Sequence, residues 1–398
     1  MSWNDARIEM IRKALQSHDI SGVVCSLPAN VLMLSGYFPI VGTSVAVAMA
    51  EGRVVVLAPE DEEQLARRGF AHDVITFQTG SLESLVTAAE GIADPLRQLL
   101  ASLHPQNQRI GCEQGQWLEP ASYAAMHLYG NSLIPLLKEA VPDANFVDAG
   151  NLLRNLRKLH TPAEIERIRT SCHVAGNAFQ RGAAALSAGL TEAQTAAAFR
   201  TPLYVTDPSR LDHGRADGLV SCMSGPNAAS AYGAYARSRG RSIESGDLVL
   251  VHCNSHVDGY WTDITRTFCI GPPHQRQREM YDAVFAARDA ALKQIRPGAK
   301  AADVDHAARE VMQARGFAQA FKHPTGHGVG FAVIDHNAPP RLHPRSPDVL
   351  EEGMVFNVEP GIYVKNEGMR HCDMVAVTHD GYELLTPFQQ DPGALIAG

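Results

Sequence analysis

Asp258-Gly259, set between two β-rich runs, is the feature that most constrains how this chain can fold. Before it stands Val249-Leu250-Val251-His252-Cys253-Asn254-Ser255-His256-Val257, and after it Tyr260-Trp261-Thr262-Asp263-Ile264-Thr265-Arg266-Thr267. Asp-Gly between such runs signals a hairpin with a two-residue turn. That turn pairs Val257 with Tyr260, which sets His252 opposite Thr265 and Asn254 opposite Asp263. Side chains alternate faces along a strand, so these four point the same way. His252 and Asp263 become diagonal neighbours, roughly 7–8 Å apart at the backbone. Two metal-competent side chains thus come within joint reach of one small ion or substrate atom.

The 398 residues are enough for two domains, each with its own core. A hydrophobic fraction of 45% and a charged fraction of 20% predict a soluble globular protein. The net charge of −8 argues against nucleic acid or an anionic membrane as the main partner. Residues 1–16 read as an amphipathic helix rather than a signal peptide, and no apolar run approaches a membrane span. Seven scattered cysteines without any Cys-x-x-Cys spacing predict reduced thiols and a cytoplasmic location.

The first half alternates strand and helix signals. Short β-branched runs at 21–26, 44–50 and 53–58 sit among helical patterns at 4–18, 60–70, 82–103 and 120–140, an α/β arrangement. A helical stretch from Ala149 to Leu159 leads to Thr161-Pro162-Ala163-Glu164. These residues predict an N-cap, a proline at the first helical position and a capping box for a helix over 163–187. The domain boundary is placed near 155–161. Beyond it come a helix over 192–200, a loop over 203–216, strand pairs, helices near 274–295 and 301–316, and last strands at 354–364 and 370–377. Hairpin strands with helices bunched between them predict an α+β domain.

Three further segments carry chemistry. In His323-Pro324-Thr325-Gly326-His327-Gly328-Val329-Gly330, glycines flanking a histidine allow close backbone approach and an accessible imidazole. Val355-Phe356-Asn357-Val358-Glu359-Pro360-Gly361 is an apolar strand ending in a carboxylate, which is expensive to bury unless paired or metal-bound. With Gly368-Met369-Arg370-His371-Cys372-Asp373 it reads as a second hairpin, and an even-numbered connection puts Glu359 and Cys372 on one face. Taken singly, a strand histidine or a buried cysteine is more often packing than ligand.

Four motifs occur together and in order: Asp258-Gly259-Tyr260-x-x-Asp263-Ile264-Thr265-Arg266-Thr267, Gly326-His327-Gly328-x-Gly330, Val358-Glu359-Pro360-Gly361-x-Tyr363 and Gly368-x-Arg370. Through them the chain resembles the pita-bread metallopeptidase family, which includes methionine aminopeptidase, prolidase, aminopeptidase P and the metal-free creatinase. The resemblance is firmest over 160–386. It implies a creatinase-type α/β domain over 1–157 and an α+β pita-bread catalytic domain over 158–398. Asn30-Val31-Leu32-Met33-Leu34-Ser35-Gly36-Tyr37 is similar to the smaller domain of the prolidase and creatinase branch.

The departures from the family pattern bear on function. Where the family has the metal ligands Asp, Asp, His, Glu, Glu, this chain has His252, Asp263, His327, Glu359 and Cys372. Imidazole and thiolate suit zinc or iron better than manganese, and Asp263, His327, Glu359 and Cys372 suffice for one four-coordinate ion. One divalent ion per subunit is expected, with a metal-free site as the alternative. Tyr232 stands where the peptidases carry a catalytic histidine, after Ser224-Gly225-Pro226-Asn227. Tyrosine can donate to an oxyanion but is a poor base near neutrality, and packing is an equal reading of this residue. His336 matches a second substrate-side histidine, followed here by Asn337.

The resemblance implies a metal-dependent hydrolase of a small peptide or amide, of Xaa-Pro dipeptidase or aminopeptidase type. Glu359 would assist as general base, His336 and Tyr232 would stabilise the oxyanion, and Arg370 would orient a carboxylate. The alternatives are a creatinase-like or ectoine-hydrolase-like C–N hydrolase or a lyase, with Cys372 as a conceivable nucleophile, and a non-catalytic binding module. The resemblance also implies a homodimer. Asp207 to Asp217 form a candidate lid.

Overall fold

In the computed structural model, which describes residues 3–40, 44–78, 82, 86–102, 109–113, 133–204, 214–233, 237–332 and 338–397, the chain separates into Met1–Arg157 and Lys158–Gly398. In the first unit, β1 (Gly22–Cys25), β2 (Val45–Met49), β3 (Val54–Pro59), β4 (Asp73–Phe77), β5 (Arg109–Cys112) and β6 (Asn145–Asp148) form one sheet, ordered β4-β3-β2-β1-β5-β6. The central pairs β1–β2 and β2–β3 are antiparallel, and the pairs toward both edges are parallel. The helices are α1 (Trp3–Ser17), α2 (Pro28–Ser35), α3 (Glu63–Ala66), α4 (Ala88–Ser102), α5 (Leu133–Ala140) and α6 (Gly150–Arg157). Val47, Val55 and Leu57 share a core with Leu96, Leu100 and Leu137 of α4 and α5.

This sheet has more strands than the three read from sequence. β4 is a half-exposed edge strand, and β5 and β6 have four residues each, too few for alternation to register. The helix expected over 60–70 reduces to a 3₁₀ turn, Glu60–Glu62, and the single turn of α3. The helix expected over 82–103 begins at Ala88, and of 120–140 only Leu133–Ala140 falls among the described residues.

The second unit opens with α7 (Pro162–Ala185). Its cap is the predicted box: the Glu164 carboxylate accepts from Thr161 N at 2.7 Å, and Thr161 Oγ1 accepts from Glu164 N at 3.3 Å. After α8 (Glu192–Tyr204), strands β7 (Ala216–Ser224), β8 (Leu248–Val257) and β9 (Tyr260–Ile270) lie side by side, and α7 packs across β8 and β9. The β8–β9 register is the predicted one, with Val257 against Tyr260, Asn254 against Asp263 and His252 against Thr265. Asp258 (φ 50°) and Gly259 (φ 82°) both take positive φ, as a type I′ turn requires. Helices α9 (Gln275–Leu292) and α10 (Ala301–Ala314) pack together before the last strands.

The second hairpin is interrupted. β10 (Val355–Val358) pairs with β13 (Asp373–Val377), and β11 (Gly361–Val364) pairs with β12 (Glu367–Arg370) as a separate ribbon. Val358 faces Asp373 and Gly361 faces Arg370, so both ladders keep one register and Glu359 falls opposite Cys372. Pro360 has no N–H to give, which accounts for the break. Cys372 instead bridges to β9, its N–H donating to Thr265 O at 3.0 Å. β14 (Tyr382–Leu384) completes the β10 sheet, and β15 (Ile396–Ala397) lies beside β9.

The segment carrying His327 is wedged against this hairpin. Gly328 bridges Phe356, Gly326 bridges Leu342, and Glu359 N donates to Thr325 O at 2.7 Å. A Cβ at Gly326 would stand 1.9 Å from Asn357 O, and one at Gly328 would stand 2.2 Å from Pro339 O. These glycines are therefore fixed by close backbone approach. Gly326→Ala is expected to cost about 1–3 kcal/mol or more by overpacking. Gly240→Ala, at an exposed position with nothing within 4 Å of the new Cβ, is expected to change stability by less than about 0.5 kcal/mol. Denaturant unfolding of the two variants checks this, and equal stability of both would contradict it.

Candidate metal centre

The two hairpins and the glycine-rich loop deliver their polar side chains to one buried spot. Ligand atoms of Asp263, Glu359 and Cys372 all lie within 4.8 Å of one another. His327 borders them, with Nε2 3.6 Å from Asp263 Oδ2 and 3.9 Å from Glu359 Oε1. Asp263 is 3% exposed, His327 2%, Glu359 5% and Cys372 0%. The imidazole of His327 is thus enclosed within the cluster, not open to solvent as the flanking glycines led us to expect.

Hydrogen bonds set the tautomer of His327. Its Nδ1 lies 3.1 Å from Gly328 O, an acceptor only, so Nδ1 carries the proton. Nε2 then presents a lone pair to the carboxylates, the arrangement a metal-binding imidazole needs. Asn357 holds this residue from both sides: Oδ1 accepts from His327 N at 2.7 Å, and Nδ2 lies 3.3 Å from Nε2. Asn357 escaped the sequence reading, although an amide inside Val355-Phe356-Asn357-Val358 was the available signal.

His252 is half-buried on β8. Its Nδ1 lies 3.0 Å from Thr265 Oγ1 and 3.7 Å from Asp263 Oδ1. Thr265 Oγ1 also accepts from Arg370 Nε at 3.1 Å, and Arg370 Nη1 lies 3.5 Å from Glu359 Oε2. Arg370 therefore orients a carboxylate belonging to the cluster itself. Burial alone would lower the Arg370 pKa, but Tyr363 and Glu359 raise it above the usual arginine value. Tyr363 in turn reaches His323: Pro324 O takes the proton of His323 Nδ1 at 2.8 Å, so the Tyr363 hydroxyl donates to Nε2 at 2.9 Å.

Tyr232 stands outside this layer, 47% exposed, with its ring 5.4 Å from that of Tyr363. Its segment hangs from the buried carboxylate of Glu192, which accepts from Ser224 N at 2.7 Å, Asn227 Nδ2 at 2.8 Å and Arg239 N at 2.9 Å. His336 lies outside the described residues, as do 207–213 of the candidate lid.

Beneath the cluster lies a network that sequence reasoning missed. Arg266 and Asp373, both 0% exposed, meet at 2.7 Å. Arg266 Nη1 donates to Cys372 O at 2.7 Å and to Thr265 O at 2.9 Å, which fixes the backbone that carries the cluster. Burial alone would raise the Asp373 carboxyl, but Arg266, first among the neighbouring groups, holds it well below the usual range. Charged residues inside apolar strands, at 266 and 373, were the signal for this pair.

Electrostatically the positive charge of Arg370 does not outweigh the burial of the cluster's carboxylates. Burial, with Asp263 adding to it, pushes Glu359 up to about 7 against the pull of Arg370 and His327. Burial and the same two carboxylates push the Cys372 thiol well above its ordinary range, and its Sγ donates to Asp263 O at 3.1 Å. A buried, protonated thiol is a poor nucleophile.

The donors fit a divalent ion. Ligand atoms around a four-coordinate ion with bonds of about 2.0–2.3 Å lie roughly 3.3–3.8 Å apart. The separations here are 3.6 Å for His327 Nε2–Asp263 Oδ2, 3.7 Å for Cys372 Sγ–Asp263 Oδ1 and 3.9 Å for His327 Nε2–Glu359 Oε1. Asp263, Glu359 and Cys372 gather most closely, and His327 stands at the edge of the set. An N, O, S donor set of this kind suits a borderline-soft cation.

The raised Glu359 pKa gives a signed expectation. Between about 4.5 and 7 the folded metal-free protein holds a proton on Glu359 that the unfolded chain has released, so stability falls as pH rises through this window. Glu359→Gln removes that penalty. It is expected to stabilise the metal-free protein at pH 8 by on the order of 1–3 kcal/mol while abolishing the stabilisation that added zinc gives the parent. Urea unfolding with and without zinc reads both effects, and a variant less stable than the parent without metal would refute the assignment.

Among the described residues no helix is long and apolar enough to cross a membrane. The chain is 28% identical over 386 residues to an Xaa-Pro dipeptidase of Pyrococcus furiosus, covering 97% of this chain and 99% of the relative. The solved prolidase of Pyrococcus horikoshii is 25% identical with a TM-score of 0.74, over 96% of this chain and 98% of that one. The Xaa-Pro dipeptidase of Bacillus anthracis, 23% identical with a TM-score of 0.77 over 99% of both chains, shares the fold. The creatinase/prolidase N-terminal domain matches residues 7–159. Metallopeptidase family M24 matches residues 166–379, and this chain belongs to that family, with its pita-bread fold.

Proposed function

We propose that the chain is a metal-dependent dipeptidase that cleaves Xaa-Pro dipeptides, with one zinc or iron ion in the centre. The observation that carries this reading is the Asp263–His327–Glu359 set at the heart of a chain that Xaa-Pro dipeptidases match nearly end to end. Asp263, Glu359 and Cys372 would hold the ion, with His327 completing the set from its side and His252 at its edge. When bound, such an ion polarises the scissile carbonyl and lowers the pKa of a water.

The chain's own residues do the rest. Glu359, standing beside the ion, would accept a proton from the attacking water and return it to the leaving amine. Arg370 and Thr265 keep that carboxylate and His252 in place. Tyr232 presents a phenol on the substrate side, and His336 is assigned to the oxyanion beside it. We assign the protein to the cytoplasm, in keeping with seven cysteines that are all free and buried, and to a homodimer.

Protein loaded in turn with zinc, iron(II) and manganese(II) is expected to release proline from Ala-Pro and Met-Pro, fastest with zinc or iron. Glu359→Gln and His327→Ala should each reduce kcat by about 10² or more. No release from either dipeptide with any of the three ions would overturn the reading.

A further inference from the structure

Two N–H donors stand on one face of β8, beside the centre. Asn254 pairs with Asp263 across the β8–β9 ladder, and His252 lies two residues along, so all three side chains leave the sheet on the same side. Asn254 is 2% exposed, and among the described residues its Nδ2 has no hydrogen-bond partner. A buried amide N–H left unbonded costs stability, so its place beside the centre calls for an acceptor that arrives with a ligand. The rest of its surroundings is closed. Leu219 flanks it on β7, and the His256–Trp261 ring pair, 4.3 Å between centroids, stands toward the turn. The side left is the one shared with Asp263 and His252.

The proton of His252 is located by its neighbours. Among the described residues the hydroxyl of Thr265, a residue 0% exposed, meets Arg370 Nε at 3.1 Å and His252 Nδ1 at 3.0 Å. Arg370 can only donate, so the buried hydroxyl proton goes to His252 Nδ1 and the imidazole carries its own proton on Nε2. The 3.7 Å from Nδ1 to Asp263 Oδ1 is too long for a competing hydrogen bond. His327 is the opposite tautomer, protonated on Nδ1. The two imidazoles are set for different work: His327 offers a lone pair, His252 an N–H.

We propose that His252 Nε2–H and Asn254 Nδ2–H form a donor pair for the oxygen of the scissile carbonyl, with Thr265 as the positioning residue that sets the His252 tautomer. Same-face neighbours on a strand are roughly 6.6–6.8 Å apart at the backbone, a span across which two donors converge on one oxygen at about 2.7–3.1 Å. As water adds to the carbonyl carbon, the C=O π pair moves onto that oxygen, and both donors hold the charge while keeping their protons. When the C–N bond breaks, the pair re-forms C=O. The leaving nitrogen keeps the C–N electrons and takes the proton that Glu359 accepted from water. The inference rests on the dipeptidase reading and names the groups that stabilise its developing charge.

Two measurements need no turnover. Nitrogen NMR of histidine-labelled, metal-free protein at pH 8 reads the tautomer: the resonance absent from His252→Gln should report a proton on Nε2, and Thr265→Val should lose that single form. Asn254→Leu keeps the shape of the side chain without the orphan donor, so its urea midpoint without metal should be no lower than the parent's. On zinc-loaded protein, His252→Ala and Asn254→Leu should each lower kcat for Ala-Pro by about 10²-fold or more, with KM changed by less than about threefold. Zinc affinity of both variants, read by chelator competition, should stay within about tenfold of the parent. A His252 proton on Nδ1, a lower midpoint for Asn254→Leu, an unchanged kcat, or loss of zinc in His252→Ala would overturn the pair. If the parent does not cleave Ala-Pro, the dipeptidase reading fails, while the donor pair still stands or falls on the tautomer and the midpoint.

Discussion

The second unit is organised around two carboxylates that are almost fully buried. Asp263 and Glu359 are buried side by side, with a protonated thiol against them and one guanidinium in contact with Glu359. Like charges at this depth are unfavourable, and without a cation one of them takes up a proton, as the Glu359 carboxyl pushed to about 7 shows. On the proposed function a divalent ion would reverse the sign of the problem: carboxylates that destabilise the empty site would become its ligands, and the thiol would be drawn toward thiolate, so the centre would exchange protons for metal.

Holding that arrangement takes a second buried charge pair with a different task. Asp373 is shared by Arg266 and Arg288, and Arg266 Nη1 donates to the carbonyls of Cys372 and Thr265 while its other nitrogens also reach Phe388 O and Thr386 O. Such a network adds little net stability over an apolar replacement, but removal of Asp373 leaves buried guanidinium charge and costs about 3–5 kcal/mol. Its effect is positional. It fixes the strand that presents Cys372 against the strand that presents Asp263, while the close contacts of Gly326 and Gly328 fix His327 against both.

Much of this was legible in the sequence. Asp258-Gly259 dictated a turn with two positive-φ residues, and period-two alternation then carried His252, Asp263 and Thr265 to one face with no further information. The capping box at Thr161 was equally local. The parity argument for Glu359 and Cys372 was sound because it needed only an even connection. The bridge from Cys372 to Thr265 depends on a partner strand about a hundred residues away, and no local pattern reports that. Arg266, Asp373 and Asn357 were visible as polar residues inside apolar strands, but their partners emerge only from tertiary contacts. In the first unit, β5 and β6 were too short and β4 too exposed to stand out from loops.

If Cys372 is a ligand, as proposed, one sulfur donor is the signature of this centre. X-ray absorption at the edge of the bound metal reads that signature directly. The account predicts a single metal with one sulfur neighbour at about 2.3 Å and lighter donors at about 2.0–2.2 Å, the sulfur being lost in Cys372→Ser. A shell of oxygen and nitrogen alone, with a second metal at about 3.5–4 Å, would contradict it.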